Sequence, residues 1–322
     1  MKTRQTRHTR QTRRPRHLAV LGALLLGTGV GAGAGLGAAG FPPSAASGPE
    51  RAAPLPRPFG GVTAPAAGRA AAALHAENEK LVADCMRRRG FTYRPEPSGP
   101  GAERAEPNPY GLLGPAEAAA DGYGVTGAAL SAGELPDPNR EPAADPKWHA
   151  ALVGTEAHEE GVRMPDGSEF LLRSDACAVR ADRTQYGPDH LRLSATFAVL
   201  GNRVVDEVEK DPRYLRAREH WSACMTEAGH PARELADPVT AIGEALDAAG
   251  ADPGRVHAVA GRELEVARAD ARCQSRADLA AAVGAAQADA EQRVIGRHAG
   301  DLARLRDMNA RALAAALAAT RS

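Results

Sequence analysis

The sequence predicts a mainly α fold, a disulfide-linked helical bundle with one small β-hairpin and a long irregular Pro/Gly-rich insertion. Aromatic residues make up only 4% of the 322 residues although 43% are hydrophobic, so a core must be built mostly from Leu, Val and Ala. Apolar residues recur at spacings of three and four in several stretches, which is the period of an amphipathic helix. Four cysteines, none in a CxxC pair, offer cross-links for this aliphatic core.

The N-terminal end has the order of an export signal. Residues 1–46 contain seven basic residues and no acidic one, and residues 18–40 are uncharged. A cationic stretch, an apolar stretch and then small residues are typical of a signal peptide, with cleavage after Ala39 or, better placed, Ala46. The alternative is an uncleaved anchor formed by residues 18–40, which are long enough to cross a bilayer. We therefore expect a secreted or extracytoplasmic protein, or one anchored to the cytoplasmic membrane.

The charge of the remaining chain limits its partners. Removal of residues 1–46 leaves 33 basic and 40 acidic residues, a formal charge of about −7. Nucleic-acid binding needs clustered cations and usually a basic domain, so a nucleic-acid partner is not expected. Contact with a membrane is expected only through an uncleaved N-terminal segment.

Composition divides the rest of the chain. Residues 47–68 are rich in Pro, Ala and Gly and predict a disordered linker. Residues 69–322 predict a single helical domain, in which residues 94–147 form an irregular insertion with ten prolines and one short helix near Ala116 to Asp121. Tyr110-Gly111 and Gly122-Tyr123-Gly124 are either a binding loop or tyrosines that fix a glycine-rich loop to the domain.

Helix and hairpin boundaries follow from capping and turn residues. A first helix is predicted over residues 68–89 because three arginines precede Gly90. Pro165-Asp166-Gly167 lies inside an alternating stretch, Val162 to Leu172, and predicts the hairpin. Residues 277–319 predict one long C-terminal helix if Gly284, Gly296 and Gly300 do not bend it. Helix starts are indicated by four aspartates, three of them followed by Pro: Asp189, Asp211, Asp237 and Asp252.

The cysteines carry the most specific signal. Four cysteines allow three pairings, and an internal repeat favours one. Cys85-Met86 and Cys224-Met225 are each followed, after three residues, by Gly, and each has an Asp-Ala-containing cysteine cluster downstream, around Cys177 and Cys273. We therefore prefer Cys85 with Cys177 and Cys224 with Cys273. The alternative, a four-ligand zinc site, lacks short-spaced ligand pairs, so no metal and no cofactor is expected.

Several short motifs make the chain resemble a group of uncharacterised secreted proteins from actinobacteria. The resemblance covers roughly residues 75–315 and implies export and paired cysteines, without implying an activity. The motifs are Cys85-Met86 to Gly90-Phe91-Thr92-Tyr93, Tyr110-Gly111, Gly122-Tyr123-Gly124, Trp148 with Ala151-Leu152-Val153-Gly154, Asp175 to Cys177, Trp221 to Cys224-Met225, Glu263 to Val266-Ala267 and Asp270 to Cys273.

Two acidic residues are the candidate catalytic groups. Glu263 and Asp270 lie seven residues apart on an otherwise apolar helix face, about 10 Å along the axis, near the upper limit for two acids flanking a glycosidic bond. The alternative is structural, with each acid meeting an arginine or capping a neighbouring helix. No GxSxG nucleophile motif or zinc-protease helix is present.

The function expected from the sequence is therefore non-catalytic. The first hypothesis is an exported protein of the cell envelope or medium that binds a protein or wall component. The alternative is a secreted hydrolase that acts on wall polymer or peptide through its acidic residues.

Overall fold

The computed structural model describes residues 54–64, 66–98, 107–131 and 137–320, which form eleven α-helices and one hairpin. The helices are α1 (Gly68–Arg88), α2 (Pro115–Ala120), α3 (Val125–Ser131), α4 (Pro146–Val153), α5 (Cys177–Gln185), α6 (His190–Val208), α7 (Pro212–Glu227), α8 (Asp237–Ala249), α9 (Pro253–Arg276), α10 (Leu279–Ile295) and α11 (Ala299–Ala319). The predicted mainly α fold class is confirmed. The predicted signal peptide and the alternative anchor at residues 18–40 lie outside the described residues.

The predicted hairpin consists of β1 (Glu159–Arg163) and β2 (Glu169–Arg173). The strands pair antiparallel, with Gly161 opposite Leu171. Gly167 closes the turn in the left-handed conformation, with φ of 86°, as the Pro-Asp-Gly sequence predicts.

The buried apolar side chains form two main clusters. The larger one contains Trp221, Phe197 and aliphatic side chains of α6, α7, α9, α10 and α11. The smaller one contains Trp148 and side chains of α1, α4 and α5. Packing of α1 on α11 and of α5 on α6 joins the two clusters. Each cluster therefore has one tryptophan and its own set of helices.

The internal sequence repeat corresponds to a repeated helix end. At the end of α1, Phe91 N–H donates to Met86 C=O and Gly90 N–H to Arg87 C=O. At the end of α7, His230 N–H donates to Met225 C=O and Gly229 N–H to Thr226 C=O. Both glycines have left-handed φ values, 83° and 84°. Each helix thus ends in a Schellman cap, one turn after a cysteine.

The two disulfides are those preferred from the repeat. Cys85 and Cys177 join α1 to α5 in the smaller cluster, and Cys224 and Cys273 join α7 to α9 in the larger one. Their sequence separations are 92 and 49 residues. No free cysteine remains. Each core is therefore cross-linked beside the glycine cap of one of its helices.

The prediction of a disordered linker over residues 47–68 is wrong for its described part. Phe59 is only 2% exposed and meets the ring of Phe197 edge to face, with centroids 5.3 Å apart. Its backbone N–H donates to Glu291 Oε1 at 2.6 Å. One buried aromatic side chain fixes a segment whose Pro/Ala/Gly composition otherwise predicts disorder. We call residues 58–64 and 66 the strap.

The prediction of one long helix over residues 277–319 is also wrong. Gly296, with φ of 39°, ends α10, and a short 3-10 turn leads into α11. The break lets α10 pack on α6 and α7 while α11 packs on α1 and α6.

The insertion is more regular than predicted. Residues 115–120 form α2, close to the predicted short helix, but residues 125–131 form a second helix, α3, and both pack on α9. Residues 99–106 and 132–136 of the insertion lie outside the described part. Polar contacts to α9, described below, hold this stretch together with the buried side chains of Tyr110 and Leu112.

Two of the four predicted aspartate caps are confirmed. Asp211 and Asp252 accept hydrogen bonds from the backbone N–H groups of Arg213 and Arg255. Asp189 precedes α6 but makes no capping bond, and it pairs with arginines instead. Asp237 lies inside α8 and accepts from the N–H groups of the preceding turn. The Asp-Pro pattern predicts the helix start, but local backbone geometry decides which N–H donates to the carboxylate.

Across the described ranges, no helix is long and apolar enough to cross a membrane.

The two disulfides suggest an oxidising, extracytoplasmic location.

Removal of either disulfide is expected to destabilise the fold by about 2–5 kcal/mol. In the chain-entropy description, the Cys85–Cys177 bridge contributes about 0.5 kcal/mol more than Cys224–Cys273, because it closes the longer loop. The double variants C85A/C177A and C224A/C273A, compared by urea unfolding, serve as controls for each other. Unchanged stability in both variants would show that the cross-links are dispensable.

Candidate functional site

Glu263 of α9 caps the N-terminus of α3. Its carboxylate accepts hydrogen bonds from Tyr123 N–H at 3.0 Å, Val125 N–H at 2.8 Å and Thr126 N–H at 3.0 Å. The Thr126 hydroxyl donates to it as well. The residue is 1% exposed. A negative charge at a helix N-terminus satisfies N–H groups that have no partner inside the helix.

Asp270, seven residues further along α9, is fully buried. Its carboxylate accepts from Trp221 Nε1 at 2.8 Å, Gln274 Nε2 at 2.9 Å and Tyr123 Oη at 2.9 Å. Burial raises the pKa of Asp270, and these three hydrogen bonds partly oppose that rise. Burial and the neighbouring Asp270 also raise the pKa of Tyr123, so its hydroxyl remains a donor.

Neither Glu263 nor Asp270 has the open position that the catalytic hypothesis requires. Their oxygens are occupied by hydrogen bonds from the protein, and neither is exposed to a substrate. The structural alternative holds for Glu263, which caps a helix. Asp270 meets Trp, Gln and Tyr rather than the expected arginine. Together the two acids tie the insertion to α9.

The tyrosine and glycine motifs lie against the domain, as the structural alternative expects. Tyr110 is buried and its hydroxyl donates to Gln287 Oε1 at 3.0 Å. Gly122 has a φ of 63°, and a Cβ there would lie 2.8 Å from Glu263 Cγ. Gly111 is similarly close to Leu235. Glycine is required at both positions because the backbone approaches a neighbouring side chain.

A cavity of about 540 Å³ lies between the strap, α1, α6 and α11. Its lining includes the apolar side chains of Phe59, Val62, Leu74 and Leu313. Polar groups of His190, Ser194, Arg306 and Asn309 line it as well. The described residues thus form a recess with apolar walls and a few polar groups, the common composition of a small-molecule site. We call it the strap cavity.

The strap wall is held by α11 and has an unusual backbone. Arg306 Nη2 donates to Phe59 C=O at 3.1 Å, and Asn309 Nδ2 donates to Val62 C=O at 2.9 Å. Phe59 has a positive φ of 53° and precedes two left-handed glycines. Such a conformation costs a non-glycine residue about 1–2 kcal/mol, which burial of the phenyl ring offsets. Asn309 Oδ1 is buried and has no hydrogen-bond partner among the described residues.

Asp182, His190 and Ser194 form a hydrogen-bonded chain at the wall of this cavity. Asp182 Oδ2 lies 2.9 Å from His190 Nδ1, and His190 Nε2 lies 3.3 Å from Ser194 Oγ. The Tyr186 ring stacks on the imidazole with centroids 4.0 Å apart. His190 and Ser194 are four residues apart in α6 and so share one helix face.

Sequence reasoning missed this chain of residues. The His190–Ser194 spacing is visible in the sequence, but many residue pairs have this spacing. Asp182 joins them only because the turn between α5 and α6 brings its carboxylate beside the start of α6.

A second, smaller cavity of about 350 Å³ adjoins the Cys224–Cys273 disulfide. It is lined by Ala228, Ala269 and the charged side chains of Glu227, Arg272 and Arg276. Arg276 and Glu227 pair with each other at 3.9 Å, and both are largely exposed. The strap cavity is larger and is the one that contains a hydroxyl, an imidazole and a guanidinium together.

Over the described ranges, no group of three or more His, Cys, Asp or Glu side chains is placed to hold a metal ion.

The chain matches no protein-family model, no curated protein and no solved structure.

The variant Glu263→Gln is expected to lower the free energy of unfolding by about 2 kcal/mol, because an amide NH₂ would face the Thr126 donors in place of an acceptor. The matched control is Glu265→Gln on the same helix. Glu265 has a side chain that is 72% exposed, so its replacement should change stability by no more than about 0.5 kcal/mol. Equal stabilities of the two variants, measured by urea unfolding, would contradict the capping role.

Asp270 is expected to make stability depend on pH. Because its pKa is raised above the ordinary 3.8, its contribution is fully present below about pH 4 and is lost as pH rises through the folded-state pKa. Asp270→Asn cannot ionise, so its stability relative to the wild type should improve as pH rises from about 4 through the folded-state pKa of Asp270. Urea unfolding at several pH values measures this difference. A relative loss by the variant with rising pH would show that the sign is wrong.

Proposed function

We propose that this chain is an exported binding protein of the cell envelope or medium. We further propose that the strap cavity binds a small amphipathic ligand with an acyl chain and a carboxylate or ester head. The observation that carries the proposal is the lining of this cavity. It combines half-buried apolar side chains with one guanidinium and several hydrogen-bonding groups.

The apolar part of the lining suits a hydrocarbon chain. Val62, Leu74 and Leu313 are only half-buried although each is a large aliphatic residue. Covering such surface with an acyl chain removes it from water and contributes about 25 cal/mol per Å² of apolar area. The four walls come from separate parts of the chain, so the recess is preformed by the fold.

The polar part of the lining suits a carboxylate or ester oxygen. Arg306 carries a positive charge at the cavity, and its planar guanidinium has donors beyond the one given to Phe59.

The expected setting is consistent with such a ligand. Two disulfides support an oxidising location, and the N-terminal residues predict export. Acyl chains occur on lipid components of cell envelopes. Within the hypothesis of a wall or envelope ligand, the cavity therefore favours an acylated component over a bare polymer.

Decanoate is a direct probe of the proposal. Isothermal titration calorimetry is expected to show saturable binding of one decanoate per chain. Ala310→Trp, at an exposed position of the cavity lining, should weaken binding by roughly tenfold or more, equivalent to about 1.4 kcal/mol. Ala303→Trp on the same helix is exposed but does not line the cavity, and it should bind as the wild type does.

The charge is tested separately. Arg306→Met should weaken decanoate binding by roughly two- to fivefold, as expected for an exposed ion pair, and leave binding of neutral decanol nearly unchanged. Arg304→Met, which alters a neighbouring exposed arginine paired with Asp189, is the control. Absence of saturable decanoate binding, or equal binding by the two tryptophan variants, would refute the proposed site.

A further inference from the structure

The hydrogen-bonded chain of Asp182, His190 and Ser194 has a defined direction. A neutral imidazole has one N–H donor and one acceptor nitrogen. The carboxylate of Asp182 accepts only, so it selects the tautomer with the proton on Nδ1. Nε2 is then an acceptor, and the donor next to it is the Ser194 hydroxyl at 3.3 Å. In this tautomer the hydroxyl proton points at Nε2.

This arrangement lies at the surface of a cavity and not inside a core. The side chains of His190 and Asp182 are 14% and 15% exposed. Ser194 is half-buried, and both Ser194 and His190 line the strap cavity. By contrast, the carboxylates of Glu263 and Asp270 are sealed. A ligand in the strap cavity therefore contacts the serine and the imidazole directly.

We propose that Ser194 is a nucleophile that takes the acyl group of a carboxylic ester bound in the strap cavity. In this proposal His190 is its general base and Asp182 the positioning residue that holds the imidazole. The inference rests on the proposed function, because it places the acyl chain in the same cavity. Nucleophile, base and orienting acid within hydrogen-bond reach are recognised by geometry, whatever their order in the chain.

The reaction balances with water as the only co-reactant. The Ser194 oxygen attacks the ester carbonyl carbon while its proton passes to His190 Nε2. The carbon–oxygen bond to the alcohol breaks, and the alcohol leaves with the proton from Nε2, which gives an acyl-serine. Water then attacks the acyl carbon and gives a proton to Nε2. The serine oxygen departs, regains that proton and releases the carboxylic acid.

Two neighbours have supporting roles. Arg306 lines the same cavity and provides positive charge for the oxyanion that forms on the carbonyl oxygen. Tyr186 stacks on the imidazole with an angle of 9° between the rings, which limits rotation of His190.

The experiment uses the exported, disulfide-bonded chain and a fluorophosphonate reagent, which reacts covalently with activated serine hydroxyls. Mass spectrometry of peptides is expected to locate the adduct on Ser194. Ser194→Ala should not be labelled. Ser275→Ala is the control, because Ser275 is a helical serine whose hydroxyl donates to Ala271 C=O within α9, and it should label as the wild type does. No adduct, or an adduct on another residue, overturns the proposal.

Hydrolysis of p-nitrophenyl decanoate tests the roles of the other two residues. Ser194→Ala should reduce the rate to the uncatalysed background. His190→Gln should lower kcat by about 10²–10⁴-fold. Asp182→Asn should lower kcat by a similar factor with KM unchanged, because an amide donor beside Nδ1 selects the other tautomer. A merely structural Asp182 would change the melting temperature and leave kcat of the folded protein intact.

The two proposals fail in different ways. Decanoate binding by the wild type, measured by calorimetry, and covalent labelling of Ser194 are independent readouts. Decanoate binding that Ala310→Trp weakens, together with an unlabelled wild-type Ser194, leaves the binding function standing and overturns the acyl-transfer step. Labelling and hydrolysis at Ser194 that Ala310→Trp does not affect would keep the nucleophile but remove the strap cavity as the place of the acyl chain.

Discussion

A covalent bond beside a helix end is the constraint on which each core depends. α1 and α7 both end in a Schellman cap, and one turn before each cap a cysteine ties the helix to another helix. The cap sets the residue at which the helix ends, and the disulfide sets which helix packs beside it. A chain with 4% aromatic residues has few large side chains to specify packing, so the cross-links of α1 to α5 and of α7 to α9 supplement an aliphatic core.

Polar contacts tie the insertion to α9, as the disulfides tie helices together in the two cores. α2 and α3 contain few large apolar side chains, yet both pack closely on α9. The insertion makes hydrogen bonds with three side chains of α9, those of Glu263, Asp270 and Gln274. Because Gly122 has no Cβ, the backbone there can lie against Glu263. Buried polar groups require partners in one geometry, so these hydrogen bonds, together with burial of Tyr110 and Leu112, specify the position of the insertion.

The sequence predicted what depends on local spacing. The α1 boundaries, the hairpin, the mainly α class and the cysteine pairing all followed from residues within one turn of each other or from the repeated Cys-Met and Gly pattern. The sequence did not predict contacts between residues that lie far apart in the chain. Phe59 is one aromatic in a Pro/Ala/Gly stretch, and its partner Phe197 lies far along the chain. The burial of Glu263 and Asp270 was foreseen from the helix face, whereas their partners were not, because Tyr123 and Thr126 come from the insertion.

The strap lies between the predicted signal and α1, and it forms one wall of the cavity through Phe59, Val62 and Ala66. A shortened chain starting at residue 69 would retain both disulfides and every helix from α1 onward, apart from the first residue of α1. It would nevertheless expose Phe197 and turn the recess into an open trough. Proteolysis before α1 would thus keep the helices and disulfides but remove one wall of the proposed ligand site.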